Sequence, residues 1–337
     1  MKGIICTRPF EFNVIEADKP AMEIGQALVR VKRIGVCGTD LHAYEGSQPF
    51  FTYPRILGHE LAGVIDSIGK NPDGLKSGDP VAILPYMACG ECVACCMGKT
   101  NCCTELNVIG VHSDGGMQEW ISVPADHLIK ADGLDLDETA LVECLAIGAH
   151  AVRRAGIQSN EYVLVIGAGP IGLGTMQFAK AEGAKVIAMD LVDDRLSFCK
   201  QELGVDFIIN PASEAKTTLA EITSGDFPTV VMDATGNSKS MGNALNFLSH
   251  GGRLVYIGLF IGDFQLNDPE FHKREATLLS SRNATRADFL HVIDLLKKGT
   301  VMAKPLITHR ADLSDLRDEF PKWIHPETGV IKAIVDV

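Results

Sequence analysis

Four cysteines crowded into a short stretch have the spacing of a metal site. The pattern C-x2-C-x2-C-x7-C is formed by Cys89, Cys92, Cys95 and Cys103. Four thiolates on one loop suit tetrahedral zinc, with no position left for a substrate. An iron–sulfur cluster is the rival, although its usual bacterial run has a shorter last gap and a following proline. We predict a structural zinc lobe over residues 87–105, with Cys96 and Cys102 as spare thiols.

A second group of possible metal ligands is spread more widely. Cys37 opens the run Cys-Gly-Thr-Asp-Leu-His, and His59 and Glu60 follow about twenty residues later. Mixed ligation with an open position distinguishes catalytic zinc from structural zinc. Each residue has an ordinary interpretation, because a buried cysteine is usually a small hydrophobe and a single histidine is more often hydrogen-bonded core. Glu143 is a further carboxylate, ordinarily a solvated acid on a helix face, and its position near the expected domain cleft favours a role in the site.

Residues 163–190 have the pattern of a dinucleotide-binding unit. An apolar run leads into G-x-G-x-x-G, a helical pattern and a second apolar run that ends on Asp190. A pyrophosphate would bind at the helix N-terminus, and Asp190 would accept from the ribose hydroxyls. Leu191 supplies no cation for a 2′-phosphate, which favours NAD over NADP; the alternative is a glycine-rich turn without a ligand. The predicted cofactor-binding residues are Gly167, Gly169, Pro170, Ile171, Gly172, Asp190 and Arg195.

Two kinds of element must position these residues. Short alternating segments before residue 148 predict a β-rich, partly barrel-like domain; they lie at 12–15, 27–33, 61–68, 80–84 and 119–123. A helix is predicted over residues 138–154, which leads into the nucleotide-binding domain.

The rest of the chain follows a doubly wound α/β pattern. Besides the two apolar runs of the fingerprint, strands are predicted at 207–209, 230–233, 254–258 and 278–281, which gives six strands in a parallel sheet. Helices are predicted at 194–203, 240–248 and from Thr285 to Lys298. The tail at 331–335 is predicted to return as a strand to the first domain. We expect domains over residues 1–148, 149–284 and 285–337, with the nucleotide-binding part as an insertion.

Composition excludes several classes of partner. The 337 residues carry a net charge of −12, with a pI near 5.3, which argues against nucleic acid or an anionic membrane as partner. No apolar run is long enough to span a bilayer, and the start lacks a signal peptide, so we expect a cytoplasmic protein. Ten cysteines without an export signal favour metal ligation over disulfides.

Taken together, the motifs resemble a known family. Cys37 with Gly-Thr-Asp-x-His, Gly58-His59-Glu60, the four-cysteine lobe and the glycine fingerprint occur in one order, similar to the zinc-containing medium-chain alcohol and polyol dehydrogenases. Glu143 sits where the sorbitol, threonine and sugar-acid 5-dehydrogenase branch carries a Glu-Pro pair, although Cys144 replaces the proline, so the local helix turn is expected to differ. Four segments resemble the bacterial 5-dehydrogenases of L-galactonate and L-gulonate, namely 46–55, 108–112, 268–273 and 281–285.

The resemblance implies a fold and a chemistry. A Rossmann sheet is inserted into a GroES-like catalytic domain, and each chain holds two zinc ions and NAD. Cys37 and His59 would bind the catalytic zinc, with Glu60 and Glu143 as ligands or as partners of its water. Thr39 would hydrogen-bond the substrate hydroxyl, His42 would relay the proton to solvent, and Asp40 would brace the loop. The cation for a sugar-acid carboxylate is sought among Arg55, Lys273 and Arg282.

The expected reaction is oxidation of a secondary alcohol of a sugar acid or polyol, with L-galactonate or L-gulonate first among the substrates. Sorbitol, L-idonate or L-threonine dehydrogenase activity is the runner-up. Rivals of other classes are a zinc-free NADPH-dependent reductase and a non-catalytic nucleotide-binding or redox-sensing protein. The resemblance also implies a homodimer or a homotetramer.

Overall fold

The computed structural model describes residues 1–48, 51–212 and 214–337. The chain divides into two compact units: Met1–Cys144 together with Thr285–Val337, and Leu145–Ala284. The first division therefore falls after Cys144, whereas the sequence suggested a boundary after Gly148. The second falls after Ala284, at the expected position.

The first part of the chain alternates short strands with short helices. Its elements are β1 (Lys2–Arg8), β2 (Glu11–Glu16), β3 (Gln26–Val36), α1 (Gly38–Glu45), β4 (Glu60–Ile68), β5 (Pro80–Ile83), β6 (Tyr86–Met87), α2 (Val93–Cys96), β7 (Asn107–Val108), β8 (Trp120–Pro124), β9 (Leu128–Lys130) and α3 (Leu136–Ala140). All five predicted strand segments of this region are present, whereas four strands and two helices were not anticipated, namely β1, β6, β7, β9, α1 and α2.

Helix α4 (Val142–Ala155) leads into the second unit, which is built of alternating strands and helices. These are β10 (Tyr162–Ile166), α5 (Pro170–Ala181), β11 (Lys185–Met189), α6 (Asp193–Gln201), β12 (Phe207–Ile209), α7 (Ala215–Ile222), β13 (Val230–Asp233), α8 (Ser238–Asn243), β14 (Arg253–Tyr256), α9 (Asp268–Lys273) and β15 (Thr277–Ser280). The six predicted strands are present and form a parallel sheet, whose order is β12-β11-β10-β13-β14-β15. Central strands such as β10 are apolar on both faces because helices cover both.

The chain then returns to the first unit. Its last elements are α10 (Arg286–Lys297), β16 (Ile307–Asp312), α11 (Leu316–Trp323) and β17 (Lys332–Asp336). The tail strand β17 pairs antiparallel with β3 and parallel with β16, in the order β16-β17-β3-β4-β5-β9, and β8 also pairs with β3. The tail thus joins the sheet of the first unit, which brings Lys332 beside the strand that leads to Cys37.

Two helix predictions need correction. Instead of one helix over 138–154, α3 ends at Ala140 and α4 begins at Val142. Residues 140–142 are all buried and include neither glycine nor proline, so packing sets the break. Instead of a helix over 240–248, α8 begins at Ser238, because the Asn237 side chain accepts from the backbone N–H groups of Lys239 and Ser240, and a 3₁₀ turn follows from Ala244.

Each unit has a hydrophobic core of its own. In the first unit Ile34, Leu57, Leu61 and Ile65 pack with Phe320 from α11, and they support the strand ends that carry the candidate site. Among the described residues, none of the helices has the length and apolar character needed to cross a bilayer.

Candidate active site

Three of the predicted metal ligands lie together in the first unit. The ligand atoms of Cys37, His59 and Glu60 are within 4.8 Å of one another. Cys37 follows the end of β3, and Glu60 begins β4, whose register places it opposite Gly35. A soft thiolate, an imidazole and a carboxylate form a donor set that fits zinc.

The histidine of this cluster is oriented by a buried carboxylate. Asp40 accepts from the backbone N–H groups of Cys37 (3.0 Å) and Gly58 (3.2 Å), so it braces the loop as expected. It also lies 3.7 Å from Nδ1 of His59, a buried nitrogen without a hydrogen-bond partner among the described residues. Burial opposes a charged imidazole, but Asp40 and Cys37 outweigh it and raise the pKa of His59 well above its ordinary value. With Nδ1 facing Asp40, the other ring nitrogen is available to a metal.

Glu60 is held by a buried lysine. Nζ of Lys332 lies 2.6 and 2.8 Å from the two carboxylate oxygens and donates to the carbonyl of Val36 at 3.0 Å. The lysine is only 2% exposed and Glu60 is 0% exposed. A side chain at position 35 would collide with the carboxylate, because a Cβ on Gly35 would lie 2.1 Å from Oε2. The Glu60 carboxylate therefore has a fixed place even without a metal.

Glu143 lies beside this cluster but is not part of it. It sits in the first turn of α4 and accepts a hydrogen bond from the hydroxyl of Tyr86. Both side chains are buried, and burial raises the pKa of Glu143 to about 7, with His59 opposing the rise and Glu60 adding to it. The role of Glu143 as a ligand stays a prediction. Cys144 follows it in the first turn of α4, where a proline is also tolerated.

The two residues predicted to handle the proton lie on α1. Thr39 is half-buried at the start of the helix, close to Cys37 in sequence, and His42 is exposed one turn later. Nδ1 of His42 lies 3.4 Å from the hydroxyl of Ser47 and 3.5 Å from the carboxylate of Glu45. A proton relay to solvent requires groups that become more exposed along its path, as is the case from Thr39 to His42. The relay itself stays a prediction.

The four cysteines of the lobe also meet. The ligand atoms of Cys89, Cys92, Cys95 and Cys103 lie within 4.8 Å of one another. The backbone N–H groups of Cys92 and Cys89 donate to the sulfurs of Cys89 and Cys103, respectively. Hydrogen bonds from the backbone of Cys95 and Thr104 lower the pKa of Cys92 to about 6, which favours a thiolate. Burial and the neighbouring sulfurs raise the pKa of Cys95 to about 12, and binding of a metal to such a thiol releases its proton. The spare thiols Cys96 and Cys102 are exposed.

The nucleotide fingerprint has the predicted conformation in the second unit. A Cβ on Gly172 would lie 1.8 Å from the carbonyl oxygen of Gly167, so the helix can approach the strand only with glycine there, whereas Gly169 faces open space. Asp190 accepts from the backbone N–H groups of Ala168 (2.6 Å) and Val192 (2.9 Å). A cavity of about 960 Å³ is lined by Gly167, Asp190, Leu191, Thr235 and Asn237 among others. These features fit a dinucleotide; Arg195 is half-buried on α6 and does not line this cavity.

Comparison with known proteins places the chain in a family. Residues 23–133 match the model described as alcohol dehydrogenase GroES-like domain, and residues 170–298 match the model described as zinc-binding dehydrogenase. An L-galactonate-5-dehydrogenase of Escherichia coli K12 is 44% identical over 335 residues, covering 99% of this chain and 98% of the relative. The chain belongs to the zinc-type alcohol dehydrogenase family. It is therefore an oxidoreductase, a zinc-containing alcohol or polyol dehydrogenase, as the resemblance implied.

Two further relatives of this zinc-type alcohol dehydrogenase bear on fold and substrate. A sorbitol dehydrogenase of Halalkalibacterium halodurans is 32% identical and covers 94% of both chains. A crystal structure of an alcohol dehydrogenase (rspB) from Escherichia coli CFT073, complexed with NADH, superposes with a TM-score of 0.93 at 34% identity, covering 100% of this chain and 99% of that one. The predicted fold, a Rossmann sheet inserted into a GroES-like domain, is confirmed.

The structure adds two residues that sequence reasoning missed in this dehydrogenase. The sequence did contain an indication of the role of Lys332, because this lysine is the one charge in the otherwise apolar strand predicted at 331–335. Burial of that strand required a partner for the charge. Tyr86 had no signal beyond its place between a strand and the cysteine lobe.

The three cations considered for a substrate carboxylate differ in their surroundings. Arg55 is tied to Asp114 (3.4 Å) and Thr52 (3.1 Å), which gives it a bracing role. Lys273 is exposed on α9 of the second unit, near Glu270, and Arg282 is exposed just after β15. Of the segment 46–55, Pro49 and Phe50 lie outside the described residues.

Proposed function

We propose that this dehydrogenase oxidises the C5 hydroxyl of a sugar acid, L-galactonate or L-gulonate, to the 5-keto acid and transfers the hydride to NAD. The observation that carries the proposal is the buried cluster of Cys37, His59 and Glu60, in a chain that matches an L-galactonate-5-dehydrogenase over nearly its whole length.

The first unit supplies the groups that hold a catalytic zinc and move the proton. Cys37 and His59 are the proposed ligands, with Glu60 and Glu143 as the carboxylates that bind the metal or its water. When bound, zinc supplies a Lewis acid that makes an alcohol more acidic, and NAD supplies the hydride acceptor. Thr39 accepts the hydrogen bond of the substrate hydroxyl and orients it. His42, exposed one turn later, passes the proton to solvent.

The second unit supplies the cofactor site. The N–H groups at the start of α5 bind the pyrophosphate, and the glycines Gly167, Gly169 and Gly172 let it approach the backbone. The carboxylate of Asp190 accepts from the adenosine ribose hydroxyls. The four-cysteine lobe binds the second zinc, which makes two zinc ions per chain.

The test is NADH formation by zinc-replete protein offered L-galactonate, L-gulonate, L-idonate, sorbitol and L-threonine in parallel. We expect one of the first two aldonates to be preferred. Preference for sorbitol, which the relative at 32% identity makes the second candidate, would keep the mechanism and reject the substrate. No turnover of any of the five would reject the proposed substrate class.

Cofactor choice is tested by Asp190→Ala. We expect the KM for NAD to rise about tenfold or more, because two ribose hydrogen bonds to a carboxylate are lost, with a much smaller change for NADP. Asp194→Ala, which removes an exposed acid four residues later in α6, is the control. Equal losses for both cofactors would contradict the assignment of NAD.

The cytoplasmic location and the homo-oligomeric state expected from the sequence belong to the same proposal. The edge strand β15 pairs only with β14 among the described residues, and Leu259, Ile261 and Leu278 are exposed in the same unit. An open strand edge can pair with another strand, and a second copy of the chain related by two-fold symmetry can supply that strand. Light scattering on Leu278→Lys, compared with the parent chain, tests whether this edge forms the oligomer.

A further inference from the structure

Neighbouring side chains face the polar groups in and around the Cys37–His59–Glu60 cluster. Asp40 faces His59, and Lys332 binds both oxygens of Glu60. The partner of Glu143 is Tyr86, the only neutral donor in this set. Tyr86 therefore places a phenol hydroxyl beside Glu143, a carboxylate of the type that binds zinc.

The position of Tyr86 is fixed by its surroundings. It begins the short strand β6, which pairs with β7 through Val108, and its ring meets the edge of Phe289 on α10 with centroids 6.3 Å apart. The residue is buried. The hydroxyl therefore cannot follow Glu143 if the carboxylate moves.

The Glu143 carboxylate is close enough to His59 and Glu60 for their charges to act on it, but it is not one of the mutually close ligand atoms. Within the part of the chain that the structure describes, the cluster of mutually close ligand atoms contains Cys37, His59 and Glu60 and does not contain Glu143. A carboxylate buried without a partner would be costly, so the hydrogen bond from Tyr86 stabilises Glu143 in its present place.

We propose that Tyr86 is a positioning residue that holds Glu143 beside the catalytic metal and so keeps one coordination position for the substrate alcohol. The inference rests on the proposed function and assigns Glu143, in the resting protein, the role of partner rather than ligand. Catalytic zinc sites keep such an open position, whereas a fourth protein ligand would close it.

The test is the rate at which zinc leaves the zinc-replete full-length chain for an excess of chelator. The kinetic phase of zinc release that is missing in Cys37→Ser is assigned to the catalytic centre. In Tyr86→Phe we expect that phase to slow by about threefold or more, because Glu143 is free to add a ligand, and we expect kcat to fall. Tyr44→Phe is the matched control, since the Tyr44 hydroxyl is also in the first unit but donates to the carbonyl of Phe10.

Variants built on Glu143→Gln distinguish a positioning role of Tyr86 from a general loss of protein stability. Glu143→Gln keeps an oxygen that accepts from Tyr86 but removes the strong ligand, so adding Tyr86→Phe to it should leave zinc release unchanged. A Tyr86→Phe chain that releases zinc at the parent rate, or faster, would overturn the inference. Slowing that persists in the Glu143→Gln background would also overturn it.

The single variant Glu143→Gln keeps the inference testable if Tyr86→Phe does not fold. Its zinc release should stay within about twofold of the parent, and release about tenfold faster would mean that Glu143 is already a ligand. If Cys37→Ser retains both zinc ions, the proposed function itself fails, and the inference with it. If Cys37→Ser loses one zinc and Tyr86→Phe has no effect, only the inference fails.

Discussion

The two cysteine-bearing centres of the first unit are assembled in opposite ways. The lobe takes all four sulfurs from residues 89–103, and three of them are half-buried. The other centre takes Cys37, His59 and Glu60 from the end of one strand, a loop and the start of another strand, and surrounds them with buried charge.

The difference follows from what each centre must do. Four thiolates satisfy zinc completely, so the lobe needs little more than backbone N–H groups and turns to shape it. A centre that leaves a position open has to control every other group near the metal. Asp40, Lys332 and Tyr86 do this for His59, Glu60 and Glu143, and none of the three is needed in the lobe.

The largest effect that separates the centres is expected from Cys37→Ser. Loss of the thiolate should remove one zinc per chain and lower kcat/KM by about 10⁴-fold, while the fold survives because the surrounding charges keep their protein partners. Metal analysis, turnover and circular dichroism together check this. Cys6→Ser, a buried thiol elsewhere in the same unit, should keep both zinc ions. An unfolded Cys37→Ser chain would mean that the structural and catalytic centres had been exchanged.

The second largest effect is expected from the buried ion pair of Lys332 and Glu60, which belongs to the Cys37–His59–Glu60 centre and not to the lobe. Lys332→Met leaves the Glu60 carboxylate buried without its ammonium, which should lower the free energy of unfolding by about 3–5 kcal/mol. Denaturant unfolding of the zinc-replete protein measures it. Lys298→Met is the matched control, because that exposed lysine pairs with the exposed Asp294 at 2.6 Å and its loss should cost at most about 1 kcal/mol.

If Lys332→Met does not fold, the double variant of Lys332→Met and Glu60→Gln still tests the contribution of the ion pair to stability. Adding Glu60→Gln removes the unpaired charge and should restore part of the lost stability. A loss below about 1 kcal/mol for Lys332→Met, or no recovery in the double variant, would show that the ion pair does not set the stability of this centre.

The same contrast explains what could be predicted from the sequence. The lobe and the glycine fingerprint were predicted residue by residue, because their partners lie within one loop or one βαβ unit and spacing alone reveals them. Lys332 lies 272 residues from Glu60, and Tyr86 lies 57 residues from Glu143. Spacing carries no information at such separations, since only the pairing of β17 with β3 and the burial of α4 bring these groups together.

Only one of the two helix corrections has the same cause. The break at Leu141 has no glycine or proline to announce it and is set by burial of the residues on either side. The early start of α8 did have a local signal, the Asn237 cap, which the apolar pattern outweighed. Local capping chemistry was thus available in the sequence, whereas tertiary packing was not.

The smallest effect is expected from Cys92→Ser in the lobe. Three thiolates still bind zinc, more weakly, and the lobe can loosen without opening the core, so stability should fall by only about 1–2 kcal/mol. Turnover of the best substrate should stay within about fivefold of the parent, because Cys37 and His59 are unaffected. Thermal unfolding and metal content check both.

Cys96→Ser gives the matched control for that variant, because Cys96 is exposed, adjoins the ligand Cys95 and donates to the carbonyl of Glu91 at 3.3 Å. It should keep the parent melting temperature and zinc content. A Cys92→Ser chain with an unchanged melting temperature would show that zinc in the lobe contributes nothing to folding. A Cys92→Ser chain with its structure intact but its turnover lost would break the comparison, since the lobe would then act on the chemistry as directly as the open centre does.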